Sequence, residues 1–286
     1  MNYKEELELN GYVIIPGVLT TSEVTECYES FTKWFASIPN LDVFHNKINP
    51  HGILKYHAIG HQRHAWLCRI NSKVQDPFRQ LWNTNDLVVS FDGSCYIPKD
   101  CAKKDRIWTH TDQASNKKGV HCYQGFVALT SNKQRTLVVY EGSHLLHESY
   151  FEDNGISNGK DWNLISHDYL KEIEDTRRVL DVPSGALVLW DSRTFHQNQY
   201  GDANSEERVV QYVSYMPKNH PKNSPTMTQK RLKYLNEYRT TTHWACPIRV
   251  NSLQPRTYGN PEHLIDYSTL LNPELEDIMP DINKII

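Results

Sequence analysis

The sequence predicts a mainly β fold, a sandwich or jelly roll flanked by helices. Three observations carry that expectation. Between about residues 86 and 216, short β-rich runs alternate with turn residues at the spacing of such folds. One amphipathic pattern, over 20–38, precedes them, and a second, over 226–239, follows them. No internal repeat, low-complexity tract or linker divides the 286 residues. A single domain is therefore expected: an N-terminal helical layer over about 1–85, a jelly-roll core over about 86–216 and a C-terminal helical extension over 217–286.

The first element is Gly11-Tyr-Val-Ile-Ile-Pro-Gly17, a short strand closed by Pro and Gly. The helix over 20–38 follows, with Thr20-x-x-Glu23 as its capping box and Val24, Cys27, Tyr28, Phe31, Trp34, Phe35 and Ile38 as its apolar stripe. Residues 40–66 carry His45, His51, His57, His61 and His64 without a clean period and read as loop and short helix. Trp66 and Arg69 read as part of an ordinary helix with a snorkelling arginine, the alternative being contact with substrate. The same two readings cover Asp92, Ser94 and Tyr96. Strands are predicted over 87–90, 124–129, 136–140, 186–190 and 209–215. The polar stretch 150–178, with a helix over 167–176, reads as an insertion between strands. In the tail helix Leu232, Leu235 and Tyr238 form the apolar face, and Arg239 to Trp244, including His243, reads either as a lid or as a packed helix end.

Composition excludes several classes of function. Net charge is −3, from 31 basic and 34 acidic residues, and the charges are interspersed. Without a basic stripe, nucleic acid and anionic membrane surfaces are not expected partners. The N-terminus offers only a short apolar run, and no segment approaches the roughly 20 apolar residues of a membrane span. Six scattered cysteines without a C-x-x-C pair point to reduced thiols. A cytoplasmic protein acting on a small molecule is the expectation.

The chemistry is carried by Trp108-Thr-His-Thr-Asp-Gln113. In a strand, residues two apart share a face, so His110 and Asp112 can reach one metal ion. His196 follows the buried-strand pattern Gly185-Ala-Leu-Val-Leu-Trp190 and supplies a third ligand. Two imidazoles and a carboxylate form the facial triad of non-haem Fe(II) oxygenases. Arg208 opens the next strand, and a guanidinium aimed into a β core needs a partner such as a dicarboxylate. Gln124 is a candidate amide contact to that cosubstrate, or an inward polar residue tied to a neighbouring strand. His144, in Tyr-Glu-Gly-Ser-His-Leu-Leu-His147, reads as a residue that orders a turn rather than as a fourth ligand.

The motifs NGYVIIPGVLTTSEV, WTHTDQ, GFVALTSNKQRTLVVYEGSHLLH, VPSGALVLWDSRTFHQN and ERVVQYVSY give the chain, over residues 9 to 216, a resemblance to the phytanoyl-CoA dioxygenase family. The resemblance implies a double-stranded β-helix (a cupin-like jelly roll) in which His110, Asp112 and His196 bind iron and Arg208 holds the distal carboxylate of 2-oxoglutarate. It further implies dioxygen as co-substrate, ascorbate as an auxiliary reductant, and a dioxygenase that hydroxylates a small molecule with release of succinate and carbon dioxide. The family often has a small hydroxyl residue where this chain has Asn198, making Asn198 a candidate cosubstrate contact, and usually Pro or Val where it has Glu141. Asp112 argues against a halogenase, in which a small residue leaves room for halide. The competing expectations are a Zn2+ or Mn2+ jelly-roll hydrolase or isomerase, which leaves Arg208 unexplained, and a non-catalytic metal-binding jelly roll. The substrate pocket is expected between the two sheets, closed by residues 40–70 and the tail.

Overall fold

Alternation of Val, Ile, Leu and aromatic residues builds the strands, because every second side chain can then be buried on one face. The protein is represented by a computed structural model that describes residues 3–39 and 48–286, so the expectation on His45 lies outside the described residues. In chain order the strands are β1 Tyr12–Ile15, β2 Ile53–Leu54, β3 Leu87–Val89, β4 Ser94–Ile97, β5 His110–Thr111, β6 Tyr123–Ala128 and β7 Leu137–Tyr140. They continue with β8 Asn163–Leu164, β9 Arg177–Val179, β10 Leu187–Asp191, β11 His196–Asn198, β12 Arg208–Val213 and β13 Tyr215–Pro217. The helices are α1 Tyr3–Asn10, α2 Thr21–Ala36, α3 Arg63–Ile70, α4 Ser72–Trp82, α5 Ser143–Asp153, α6 His167–Glu172, α7 Pro225–Asn236 and α8 Met279–Ile282.

Six strands form one sheet in the order β1-β10-β6-β12-β4-β2, and five form a second, β8-β5-β11-β7-β9, with β13 and β3 as a short pair. Every pairing is antiparallel. This is the double-stranded β-helix that the sequence predicts. The pleat divides the six-stranded sheet between two cores. Phe126, Ala128, Val188, Trp190 and Val210 meet Leu137 and Val139 of the second sheet. Val127, Leu187, Leu189, Val209 and Val213 turn the other way and pack on Phe31, Trp34, Trp66 and Phe78 of the helical layer. The Thr20/Glu23 capping box opens α2 as expected, with both reciprocal hydrogen bonds present.

Three expectations need correction, and one helix was not foreseen. Ser143–Asp153 is a helix, not a loop, because Gly142 takes the left-handed conformation that ends β7 and the chain then turns directly into α5. In α7 the apolar face is misassigned: Leu232 is exposed, while Leu235 and the aliphatic stem of Arg231 are buried. Tyr3–Asn10 is helical although its pattern is dominated by charge. Arg69 does not snorkel: it is fully buried and its guanidinium donates to the Gly60 and Asp92 carbonyls.

Candidate metal centre

Strand pairing places the triad. On adjacent antiparallel strands His110 of β5 stands directly opposite His196 of β11, and the two rings lie 4.4 Å apart at their centroids. Asp112, two residues beyond His110, is anchored where its own N–H donates to the Ser192 carbonyl, and its Oδ2 lies 3.6 Å from His110 Nε2 and 3.4 Å from His196 Nε2. One ligand atom from each residue falls within 4.8 Å of the others, a span that one metal ion can bridge.

The imidazoles are oriented from behind. His110 Nδ1 donates to the Trp108 carbonyl at 3.2 Å and His196 Nδ1 to the Thr194 carbonyl at 2.8 Å. With protons held there, each Nε2 presents its lone pair to the centre. Gln124 Nε2 donates to Asp112 Oδ2 at 3.0 Å, while its own carbonyl oxygen is buried without a partner. Burial, reinforced by the neighbouring His196, lowers the His110 pKa. For Asp112, burial acts to raise the pKa, but the two imidazoles outweigh it and hold the carboxyl well below its usual range.

Arg208 is fully buried at the start of β12, with its guanidinium carbon 5.3 Å from the Phe126 ring. None of its three nitrogens has a hydrogen-bond partner. A buried cation with unsatisfied donors is costly, and an anion at this end of the core would satisfy it. The donor set of the triad and this orphaned guanidinium fit a metal ion with a dicarboxylate beside it. Asn198, also beside the triad, spends its amide nitrogen on the Tyr212 hydroxyl at 3.1 Å.

A cavity of about 660 Å³ opens from the triad between the sheets. Lys55, Asp92, Trp108, Trp190, Tyr212, Gln124 and His243 line it, and its rim comes from Lys160, Asp161 and Trp162, and from Thr242, Trp244, Arg249 and Asn251. The tail therefore closes the pocket as expected. The polar stretch after α5 also contributes, which sequence reasoning missed. Its one signal was a tryptophan, Trp162, inside Gly-Lys-Asp-Trp-Asn. Lys55, Arg249 and Asn251 gave no signal of their own.

Other singled-out residues lie elsewhere. Trp66 is buried against His61 and Phe91, and Tyr96 packs on Phe31 and Phe35 in the helical layer. Ser94 is tied to Gln211 and His64. His144 lies in the first turn of α5 and meets the Glu8 carbonyl, linking that helix to α1. Of the sequence-predicted group, the fold brings together His110, Asp112, His196, Gln124 and Asn198 around one cavity, with Asp92 and His243 on its wall.

Comparison with known proteins gives a consistent set of relatives. The phytanoyl-CoA dioxygenase (PhyH) family model matches residues 7–199, a range that ends before Arg208. "Ava biosynthesis cluster protein O" of Aspergillus versicolor is 25% identical over 240 residues, covering 76% of this chain and 78% of that protein. EctD from S. alaskensis, solved with 2-oxoglutarate and 5-hydroxyectoine, superposes with a TM-score of 0.53 at 14% identity over 74% of each chain. HygX from Streptomyces hygroscopicus, solved with nickel and 2-oxoglutarate, does so at 0.51 and 15%, over 74% of this chain and 85% of its own. The epimerase SnoN, solved with Fe3+ and alpha ketoglutarate, gives 0.52 and 19%, over 75% and 82%. At such identities the structural likeness is one of fold.

Proposed function

The chain belongs to the phytanoyl-CoA dioxygenase family, and from that premise we propose that it is an Fe(II)- and 2-oxoglutarate-dependent dioxygenase that hydroxylates a small molecule. The observation that carries this reading is the pairing of a His-Asp-His cluster with a buried, unpartnered guanidinium at the end of the same core. Solved relatives of the same fold hold iron or nickel together with 2-oxoglutarate, which supports the cofactor pair.

In this proposal His110, Asp112 and His196 would hold the iron. Arg208, whose guanidinium nitrogens have no partner, would donate charge-assisted hydrogen bonds to the distal carboxylate of 2-oxoglutarate. Gln124 keeps the Asp112 carboxylate turned toward the metal, and Trp108, Trp162 and Trp244 shield the centre from water. The bound iron and cosubstrate supply the oxidising power, with dioxygen consumed and succinate and carbon dioxide released. An epimerase among the structural neighbours shows that this fold also hosts other outcomes; hydroxylation is the outcome we assign. A zinc or manganese hydrolase leaves the Arg208 donors without a role.

The test is anaerobic addition of Fe(II) and 2-oxoglutarate to purified apoprotein, followed through the weak visible charge-transfer band of the chelate, with His196→Ala as control. A band absent from the control is expected. Metal binding without the band would instead favour a redox-inactive metal enzyme.

A further inference from the structure

Two opposite charges on the cavity wall have no ion-pair partner. Among the described residues no counter-ion lies within 4.0 Å of either Lys55 or Asp92, yet both face the cavity. The Asp92 carboxylate accepts one hydrogen bond, from the Gly93 N–H at 2.7 Å. No hydrogen bond engages the Lys55 ammonium, which lies 5.8 Å from the Tyr56 ring centroid.

The two segments that carry them are held together. A Cβ on Gly93 would stand 1.9 Å from the Leu54 carbonyl oxygen, and one on Gly60 would stand 2.2 Å from the Phe91 carbonyl oxygen. These close approaches clamp the segment carrying Lys55 onto the segment carrying Asp92, and the β2–β4 register Leu54↔Ser94 continues the clamp. Buried Arg69 grips the Gly60 and Asp92 carbonyls together, and Gln211 donates to the Asp92 and Gly93 carbonyls. A lysine and an aspartate free to collapse onto each other would form an ordinary ion pair. Here the two backbones are held side by side, and the two charges stand more than 4.0 Å apart, facing the same space.

We propose that Lys55 and Asp92 together bind a zwitterionic, amino-acid-type end of the substrate, with the ammonium on Asp92, the carboxylate on Lys55 and the apolar body among Trp108, Trp162 and Trp244. This deepens the oxygenase reading of the same cavity and rests on it. A bridging zwitterion satisfies both half-buried charges at once, whereas a simple amine or acid leaves one unpaired. Burial pushes the Asp92 carboxyl up to about 7 and lowers the Lys55 ammonium, outweighing the attraction of Arg69 and Lys55 for Asp92 and of Asp92 for Lys55.

The experiment is calorimetric titration of the anaerobic protein, loaded with Fe(II) and 2-oxoglutarate, with L-phenylalanine, 2-phenylethylamine and 3-phenylpropionate. Phenylalanine is expected to bind at least tenfold more tightly than either single-charge probe. Asp92→Asn, which keeps the oxygen that accepts from Gly93, should bring phenylalanine down to the level of phenylpropionate. Lys55→Met should bring it down to the level of phenylethylamine. Equal affinities, the absence of binding by phenylalanine, or a preference that survives both substitutions would overturn the proposal. The wild-type ranking decides even if a variant fails to fold. Should the visible band of the chelate never form, the oxygenase reading falls; the same probes on the metal-free protein then still decide whether the two charges act as a pair.

Discussion

The deep end of the cavity and its rim are positioned by different means. At the deep end His110, His196 and Gln124 project from paired strands, where register and pleat set each side chain, and Arg208 opens the neighbouring strand β12, buried in the core against Phe126. At the rim Asp161, Trp162, Trp244 and Arg249 come from loops 80 or more residues apart in sequence, joined by side-chain contacts. Asp161 bridges Lys117 and Arg249, and both cations lie over the Trp244 ring, at 4.5 and 5.7 Å. Strand-borne groups are aimed by register, with one backbone carbonyl behind each imidazole, so each Nε2 and the Arg208 guanidinium can be left unsatisfied. Loop-borne groups must hold one another, and this region is where selectivity for substrate can vary without disturbing the chemistry.

The largest effect should come from the deep end. His110→Ala or His196→Ala is expected to reduce iron-dependent turnover to background while thermal unfolding moves by only a few degrees, because the strands that carry them are held by backbone pairing. Oxygen consumption and calorimetry on the same preparations check both halves. Turnover retained at a tenth of wild type or more would remove that residue from the ligand set.

Arg208→Met comes next. Losing a forked, charge-assisted contact worth ~3 kcal/mol should raise the 2-oxoglutarate requirement about 100-fold. Without cosubstrate the variant should unfold at the same temperature as wild type or higher, since an unpartnered buried charge has been replaced by an apolar side chain. Wild type alone should be stabilised by added 2-oxoglutarate. A variant that is less stable in its absence would mean that Arg208 supports the fold instead.

The same contrast explains what was legible in the sequence. His110 and Asp112 were readable because a strand puts alternate residues on one face, and Arg208 because a charge opening an apolar strand is conspicuous. The five strands predicted over 87–215 fall within a few residues of the observed ones for the same reason. Helix α5 was hidden because its histidines and acidic residues give almost no amphipathic period, and its start depends on the backbone conformation of Gly142. Lys55 and Asp92 lie 37 residues apart in unpatterned segments, and their approach depends on carbonyl contacts at Gly60 and Gly93 that no periodicity records. Arg69 misled because an arginine on a short helix usually reaches water, whereas this one is enclosed by two loops whose carbonyls it joins.

The smallest expected effect tests the rim directly. Burial acts to raise the Asp161 pKa, but its ion pairs with Lys117 and Arg249 outweigh that and leave it below the ordinary value. A depressed carboxylate pKa means that the attraction is fully present above the unfolded value of about 4 and is lost only as pH falls through the lower, folded one. Between pH 5 and 8 the strap should therefore stay closed, and hydrogen exchange of the segment around Trp162, corrected for the intrinsic rate, should not change. Asp161→Asn should open it at neutral pH, because a neutral amide cannot hold two cations and the Ala114 N–H loses a charged acceptor. Exchange in residues 156–164 and acrylamide quenching of tryptophan fluorescence should both rise, while the iron and 2-oxoglutarate band keeps its intensity. If the band weakened in step with the rim, the two ends of the cavity would be mechanically coupled, and the division between strand-borne chemistry and loop-borne selectivity would fail.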